Sequence, residues 1–484
     1  MASRAGRSLI WTLLESGGLS VLSLTVLIVL ARMLGPSELG TAALALGTVQ
    51  MVAIALDTLL HDAIVQRPDL DDDHLHTAFW TCFGLGVIFS FAFWIGAPAI
   101  GRLFESPGLP PLLSVAGLSL PFTGAGSVVI AILRRKFEFK ALALRTLHGR
   151  LAGAMAAIVL AALGYGVWSL IAQHLLQAVM NTASVWRSTP WRPRLVFRRR
   201  RLLELLSFGM MALGTRMAWV SSARLFTVLV GYFLGVTAVG YINIAQRVVD
   251  TLNDMLTGAA YNLAFPIFAR QQADRGMLAR TYSQATEFAA LTVQPLFAGV
   301  AVCAPAIVHL FLGESWSAAI PLVQIMAIGA MLQFVLLFGE AALTALGKPS
   351  YTFAFAALSF GFVVVFFLGV QPEQPIHAAA IWALRVLVVA PLLLAAVHRF
   401  LGGRATVDML KGCLAPLLAT AAMVGAVAAA DVDLLAGYSP LTSLLIEILL
   451  GAAVYAAAVT VINRDVVLRF MAFVAAGLRT ARPS

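Results

Sequence analysis

The chain has 484 residues, of which 60% are hydrophobic and only 12% charged, whereas soluble domains run at roughly 45–50% apolar and about 25% charged. That composition excludes a water-soluble protein, so the chain is best described by its membrane spans. The 33 basic residues outnumber the 23 acidic ones and leave a formal charge of +10, which in such a chain reports topology before it reports a nucleic-acid partner.

Spans of about 20 apolar residues, separated at glycines, prolines and charge clusters, are predicted at fourteen places. The first is 9–34. It follows Met1-Ala-Ser-Arg-Ala-Gly-Arg, a flank that suits a signal peptide, but the apolar stretch runs on without a small-residue cleavage site and reads as a transmembrane helix. The others are 41–60, 77–103, 112–133, 141–163, 166–186, 202–233, 237–267, 281–312, 318–346, 351–370, 376–397, 410–430 and 441–462. Basic residues gather in alternate connections, such as Arg134-Arg135-Lys136 and the seven arginines of 187–201, while the opposite side holds only Arg32 and Arg102. This asymmetry predicts an even span count with both termini cytoplasmic. Beyond 462, Val466, Val467, Phe470, Met471, Val474 and Leu478 share one helical face, with Arg469 and Arg479 elsewhere, as expected of a helix lying in the inner interface.

Two segments recur. Leu34-Gly35-Pro36-Ser37-Glu38-Leu39-Gly40 is echoed by Leu234-Gly235-Val236-Thr237-Ala238-Val239-Gly240, and Ala97-Pro98-Ala99-Ile100 by Ala304-Pro305-Ala306-Ile307. The echoes keep their order and their place in the topology with six spans between equivalents, which predicts two halves of the same orientation related by an axis along the membrane normal. The expected fold is all-α and polytopic. It comprises a six-helix bundle at 1–186, a basic cytoplasmic linker at 187–201, a second six-helix bundle at 202–400, two further helices at 401–462 and an amphipathic tail at 463–484.

Ionisable groups at membrane depth cost at least roughly 2.5–3.5 kcal/mol and mark functional candidates. In span eight Asn243, Arg247, Asp250, Asp254, Thr257 and Tyr261 fall on one line of the helix. Arg216 and Arg224 lie in span seven, Arg145, His148 and Arg150 in span five, Arg385 in span twelve, Glu287 in span nine, Glu15 in span one and Asp57 in span two. Arg247 with Asp250 or Asp254 can equally be a neutralised pair holding helices together, and Asp57 is expected at the inner interface. Asp69, Asp71, Asp72, Asp73, His74 and His76 invite a metal reading, yet they directly precede a helix, where Asp serves as an N-cap. Cys82, Cys303 and Cys413 sit in apolar runs and form no disulfide framework or metal-ligand spacing. Gly347-Lys348-Pro349-Ser350 lacks the upstream glycine of a phosphate-binding loop, and neither HExxH nor GxSxG occurs. The expectation is a transporter and not an enzyme, with no metal and no nucleic-acid partner.

The chain resembles the polysaccharide transporter branch of the multidrug/oligosaccharidyl-lipid/polysaccharide exporter superfamily, the Wzx-like flippases. The resemblance rests on Ala31-Arg32-Met33-Leu34-Gly35-Pro36-Ser37-Glu38-Leu39-Gly40, on Leu133-Arg134-Arg135-Lys136-Phe137-Glu138-Phe139-Lys140, and on Leu234-Gly235 to Gly240-Tyr241 with Ala245. It implies a flippase of the bacterial inner membrane that moves polyprenyl-diphosphate-linked oligosaccharide units to the outer leaflet for exopolysaccharide, capsule or O-antigen synthesis. Membrane lipids and a polysaccharide polymerase or export complex are its expected partners. On this reading Arg145, Arg216, Arg224, Arg247 and Asn243 hold the diphosphate and sugar. Asp250, Asp254, Glu287 and Glu15 pair charges or couple a proton or sodium ion, and no other cofactor is expected. The competing expectation is an ion-coupled exporter of organic cations from the multidrug branch.

Overall fold

The computed structural model describes residues 25–433 and 438–481, with side chains for all of these but 207–209, 211–223, 259, 262, 431–433 and 473–481. Glu15 and the Arg216 side chain therefore lie outside the described residues. Every described element is helical, as backbone polar groups in hydrocarbon require.

The helices follow the expected spans in order. They are α1 (25–33 as described), α2 (Pro36–Gln66, bent at Leu60), α3 (Asp72–Leu103), α4 (Leu109–Arg135, bent at Leu118), α5 (Phe139–Ala162) and α6 (Trp168–Arg187). One long helical run, Arg199–Arg270, is interrupted at Gly235, whose φ of 78° belongs to the left-handed region. The glycine divides it into α7 (199–234) and α8 (236–270). Then come α9 (Arg275–Val302), α10 (Ile320–Ala345), α11 (Pro349–Val370), α12 (Pro375–Leu401), α13 (Gly403–Asp433), α14 (Pro440–Ile462) and the tail helix α15 (Arg464–Ala481). Ten described segments are long and apolar enough to cross a membrane. Helices α5 and α6 are outside that set although they have 24 and 20 residues; their excess of polar side chains foreshadows their role below.

Local chemistry sets the helix starts. Asp71 caps α3 by accepting from the His74 amide, Asp274 caps α9 through the Met277 amide, and proline opens α2, α11, α12 and α14, where its missing N–H costs nothing. The expected N-cap role of the acidic cluster before span three is thus what the structure shows for Asp71.

The chain divides into two compact units, Val21–Asn243 and the residues from Ile244 on. In the first, Leu60, Ile64, Ala78, Phe79, Cys82, Val128, Ala131 and Leu205 form a buried cluster flanked by Trp80, Trp186 and Trp191. The opposite side of α3 exposes Ile88, Phe91, Trp94 and Ile95, a surface suited to lipid. In the second unit Leu291, Ala419, Val459 and Val466 pack together with Phe288, Tyr455 and Phe470. Val466 and Phe470 belong to α15, so the amphipathic face expected of the tail is partly seated on the membrane helices.

The repeated glycines meet. A Cβ on Gly40 would lie 1.7 Å from the Val236 carbonyl oxygen, and one on Gly240 would lie 2.0 Å from that of Pro36. Positions 36 and 40 correspond to 236 and 240 in the repeat, so α2 and α8 make a reciprocal contact in which each motif receives the other. Such a contact is what two-fold-related copies produce, and it explains why both motifs end in glycine.

Candidate functional site

The first unit holds a cavity of about 250 Å³ between α2, α4, α5 and α6. Its polar wall consists of Gln50 and Asp57 from α2, Thr123 from α4, Arg145 from α5, and Asn181 and Thr182 from α6; Ile54, Ile130 and Ala178 supply apolar wall. Helix packing explains the shape. Gly149 and Gly153 on α5 leave room for α6, whose Asn181 Oδ1 would be 2.1 Å from a Cβ at Gly149 and whose Gln173 carbonyl would be 2.9 Å from one at Gly153. The close approach of α5 and α6 draws Arg145 and Asn181 into one chamber.

Hydrogen bonding in the chamber is incomplete. Among the described residues the Arg145 Nε–H and the Asn181 Oδ1 are buried without partners. Asp57 acts electrostatically on Arg145, yet the two make no ion pair within 4 Å. Thr182 donates its hydroxyl proton to the Phe122 carbonyl at 2.7 Å and Thr123 donates to that of Ser119 at 3.2 Å, which leaves both oxygens as acceptors toward the cavity.

The second unit has a smaller polar pocket of about 30 Å³, lined by Gln246, Asp250 and Asn253 of α8, Gln333 of α10, and Trp382 and Arg385 of α12. Arg385 is well held. Its Nη2 donates to Gln333 Oε1 at 2.8 Å, its Nη1 to the Trp382 carbonyl, and its guanidinium lies 3.7 Å from the Trp382 ring centroid. Asp250 also acts on it electrostatically.

The other sequence candidates are distributed as follows. Arg247, Asp250 and Asp254 are exposed and Asn243, Thr257 and Tyr261 half-buried, so the polar line of α8 is an open face. Arg247 forms no ion pair within 4 Å among the described residues, although its field reaches Asp254. Arg224 is half-buried on α7. Glu287 is nearly buried and pairs with Arg469 of α15, Oε1 to Nη2, at 3.2 Å. Asp57, expected near the inner interface, lines the Arg145 cavity. Sequence reasoning passed over Asn181 and Thr182, although Gln173, Gln177 and Asn181 repeat at intervals of four and mark a polar stripe on α6.

At the arginine-rich end of the first unit, the segment after α6 is tied to the start of α3. Trp191 stacks on His76, Trp80 Nε1 donates to the Arg194 carbonyl at 2.7 Å, and the Arg198 amide donates to Thr77 Oγ1 at 3.0 Å. Ion pairs join Arg198 to Asp73 at 2.6 Å, Arg201 to Asp71 at 2.5 Å and Arg67 to Glu204 at 2.7 Å. Desolvation pushes the Asp71 carboxyl up, but the His74 amide and ring and the Arg201 charge outweigh it and hold the carboxyl below its ordinary value.

This arrangement of apolar helices with polar chambers among them defines a polytopic membrane protein, and known folds narrow the class. The chain superposes on the lipid II flippase MurJ in an inward closed conformation with a TM-score of 0.79 at 14% identity, covering 94% of this chain and 99% of that one. It matches an inward-facing multidrug resistance MATE family transporter of the MOP superfamily with a TM-score of 0.60 at 18% identity, over 79% and 94% of the two chains. At these identities the likeness establishes the fold. The chain belongs to the family described as polysaccharide biosynthesis protein, which matches residues 29–321.

Among curated relatives, the succinoglycan biosynthesis transport protein ExoT of Rhizobium meliloti (strain 1021) is 28% identical over 330 residues. The teichuronic acid biosynthesis protein TuaB of Bacillus subtilis (strain 168) is 24% identical over 346, and the lipopolysaccharide biosynthesis protein WzxC of Escherichia coli (strain K12) 25% identical over 336. The matched stretch covers 68% of this chain and 66% of ExoT, 71% of each chain for TuaB, and 67% and 66% for WzxC. The family agrees with the resemblance carried by the motifs around Gly40, Arg135 and Gly240.

Proposed function

We propose that the protein carries polyprenyl-diphosphate-linked oligosaccharide units from the inner to the outer leaflet of a bacterial cytoplasmic membrane, by transport and not catalysis. The observation that carries this reading is an arginine-bearing polar chamber, inside membrane helices, in a chain of the polysaccharide biosynthesis family. Moving a sugar headgroup through hydrocarbon would strip its hydroxyls of partners at roughly 4–8 kcal/mol each. Polar walls replace the lost water while the polyprenyl tail stays in lipid.

In this account two six-helix bundles, 1–186 and 202–400, alternate their access to the two leaflets, with both termini in the cytoplasm. Arg216, Arg224, Arg247 and Asn243 meet the diphosphate, whose charge and geometry guanidinium matches, and Arg145 meets the headgroup. Asp250, Asp254 and Glu15 take part in proton or sodium coupling, and Glu287 serves in charge pairing. An inside-negative potential aids outward movement of the anion by about 2.3 kcal/mol per charge per 100 mV. A polysaccharide polymerase or export complex would take up the delivered unit. The organic-cation reading draws less support, because the chambers present arginine.

Complementation tests the proposal. Cells lacking the protein should accumulate lipid-linked repeat units inside and lose surface polymer, and the intact chain should restore it. Arg247→Ala should insert normally yet fail to restore the polymer. Full polymer in cells lacking the protein would contradict the proposal.

A further inference from the structure

We infer that the cavity between α2, α4, α5 and α6 is a subsite for one neutral sugar ring and not for the diphosphate. This rests on the flippase reading and narrows the role of Arg145 within it. Size is the first argument. At about 250 Å³ the chamber falls just below the ~300 Å³ at which pockets for drug-sized ligands begin. It has room for one pyranose with its hydroxyls.

Hydrogen-bond polarity is the second argument. The wall offers acceptors in Asp57, in the unpartnered Asn181 Oδ1, and in Thr123 and Thr182, whose protons are already spent on backbone carbonyls. Beside them stand donors: Arg145, with an unpartnered Nε–H, and the amide groups of Gln50 and Asn181. A ligand matched to this chamber both donates to Asp57 and the threonines and accepts from the guanidinium and the amides. Sugar hydroxyls do both, whereas a fully ionised phosphate only accepts. A diphosphate placed here would set its charge beside that of Asp57, while a hydroxyl bridging Arg145 and Asp57 satisfies two groups that do not reach each other.

Saturation-transfer NMR of the intact protein in nanodiscs, with methyl glucoside and methyl galactoside as probes and pyrophosphate as competitor, tests the assignment. At least one glycoside should bind, pyrophosphate should not displace it, and Asn181→Leu should weaken it about tenfold, the scale of one lost hydrogen bond. Asp57→Asn, which keeps the shape of the wall, should weaken it as well and stands in if Asn181→Leu does not fold. Absence of glycoside binding, displacement by pyrophosphate, or binding unchanged in a folded variant would overturn the subsite. Surface polymer measured in the same strains separates the two levels of the account. Polymer delivered equally by Asn181→Leu sinks the subsite alone, whereas an intact chain that delivers no lipid-linked glycan sinks the flippase reading.

Discussion

Two arginines at membrane depth, Arg145 and Arg385, differ in how far their neighbours satisfy them. Arg385 is held by Gln333, the Trp382 carbonyl and the Trp382 ring, which suits a strut between α10 and α12. Arg145 keeps an unpartnered Nε–H beside a cavity, which suits a ligand. The sequence exposed both as costly charges but could not separate them, because the partners come from helices distant in the chain. Asn181 went unnoticed for a related reason: the α6 stripe of Gln173, Gln177 and Asn181 carries no functional meaning until Gly149 and Gly153 bring it against α5 beside Arg145. Asp71 gives a test at the same scale. Its carboxyl is held below the ordinary value, so its charge contributes stability above the usual carboxylate pKa of about 3.9, and that contribution is lost as pH falls through the lower folded value. Asn caps helices as well as Asp, so Asp71→Asn isolates the charge. Its thermal midpoint in detergent should lie below that of the natural chain at neutral pH, and the gap should close as pH falls below the ordinary carboxylate value and through the lower folded one. A gap that stays constant with pH would contradict the ion-pair account.

Helices were largely legible because hydrocarbon enforces them: an apolar run of sufficient length has no other way to satisfy its backbone. The boundaries at Gly235 and at the prolines opening α2, α11, α12 and α14 also match their local chemistry. Less legible was what the polar connections do. The arginines of 187–201 read as a linker, but the structure ties them to Asp71, Asp73 and His76 at the start of α3, contacts that no local pattern encodes. The glycine crossing of α2 and α8 supplies an element-level prediction. Gly40→Ala and Gly240→Ala each press a methyl into backbone and should destabilise by about 1–3 kcal/mol, read as a lower thermal midpoint. Gly47→Ala, with open space around its Cβ position, should not. A second prediction concerns α15. Arg469→Gln leaves Glu287 nearly buried and unpaired, at a cost of about 1–3 kcal/mol. Adding Glu287→Gln should recover much of that loss in the same melting measurement; a double variant no more stable than Arg469→Gln alone would break the link between tail and bundle.

For the whole molecule, composition alone excluded a soluble protein, and the segments that repeat at offset 200 meet in the reciprocal contact of Gly40 and Gly240. The basic excess, +10 over the chain, includes an arginine-rich segment of which Arg198, Arg200 and Arg201 are held in ion pairs, and a few arginines inside the helices. Flipping by purified protein tests this account most directly. Proteoliposomes loaded with polyprenyl-diphosphate-linked glycan from cells lacking the protein should expose that glycan to an impermeant lectin faster than empty liposomes do, and Arg145→Ala should slow the exposure. Glycan exposed no faster than without protein, or organic cations moved in its place, would contradict the account.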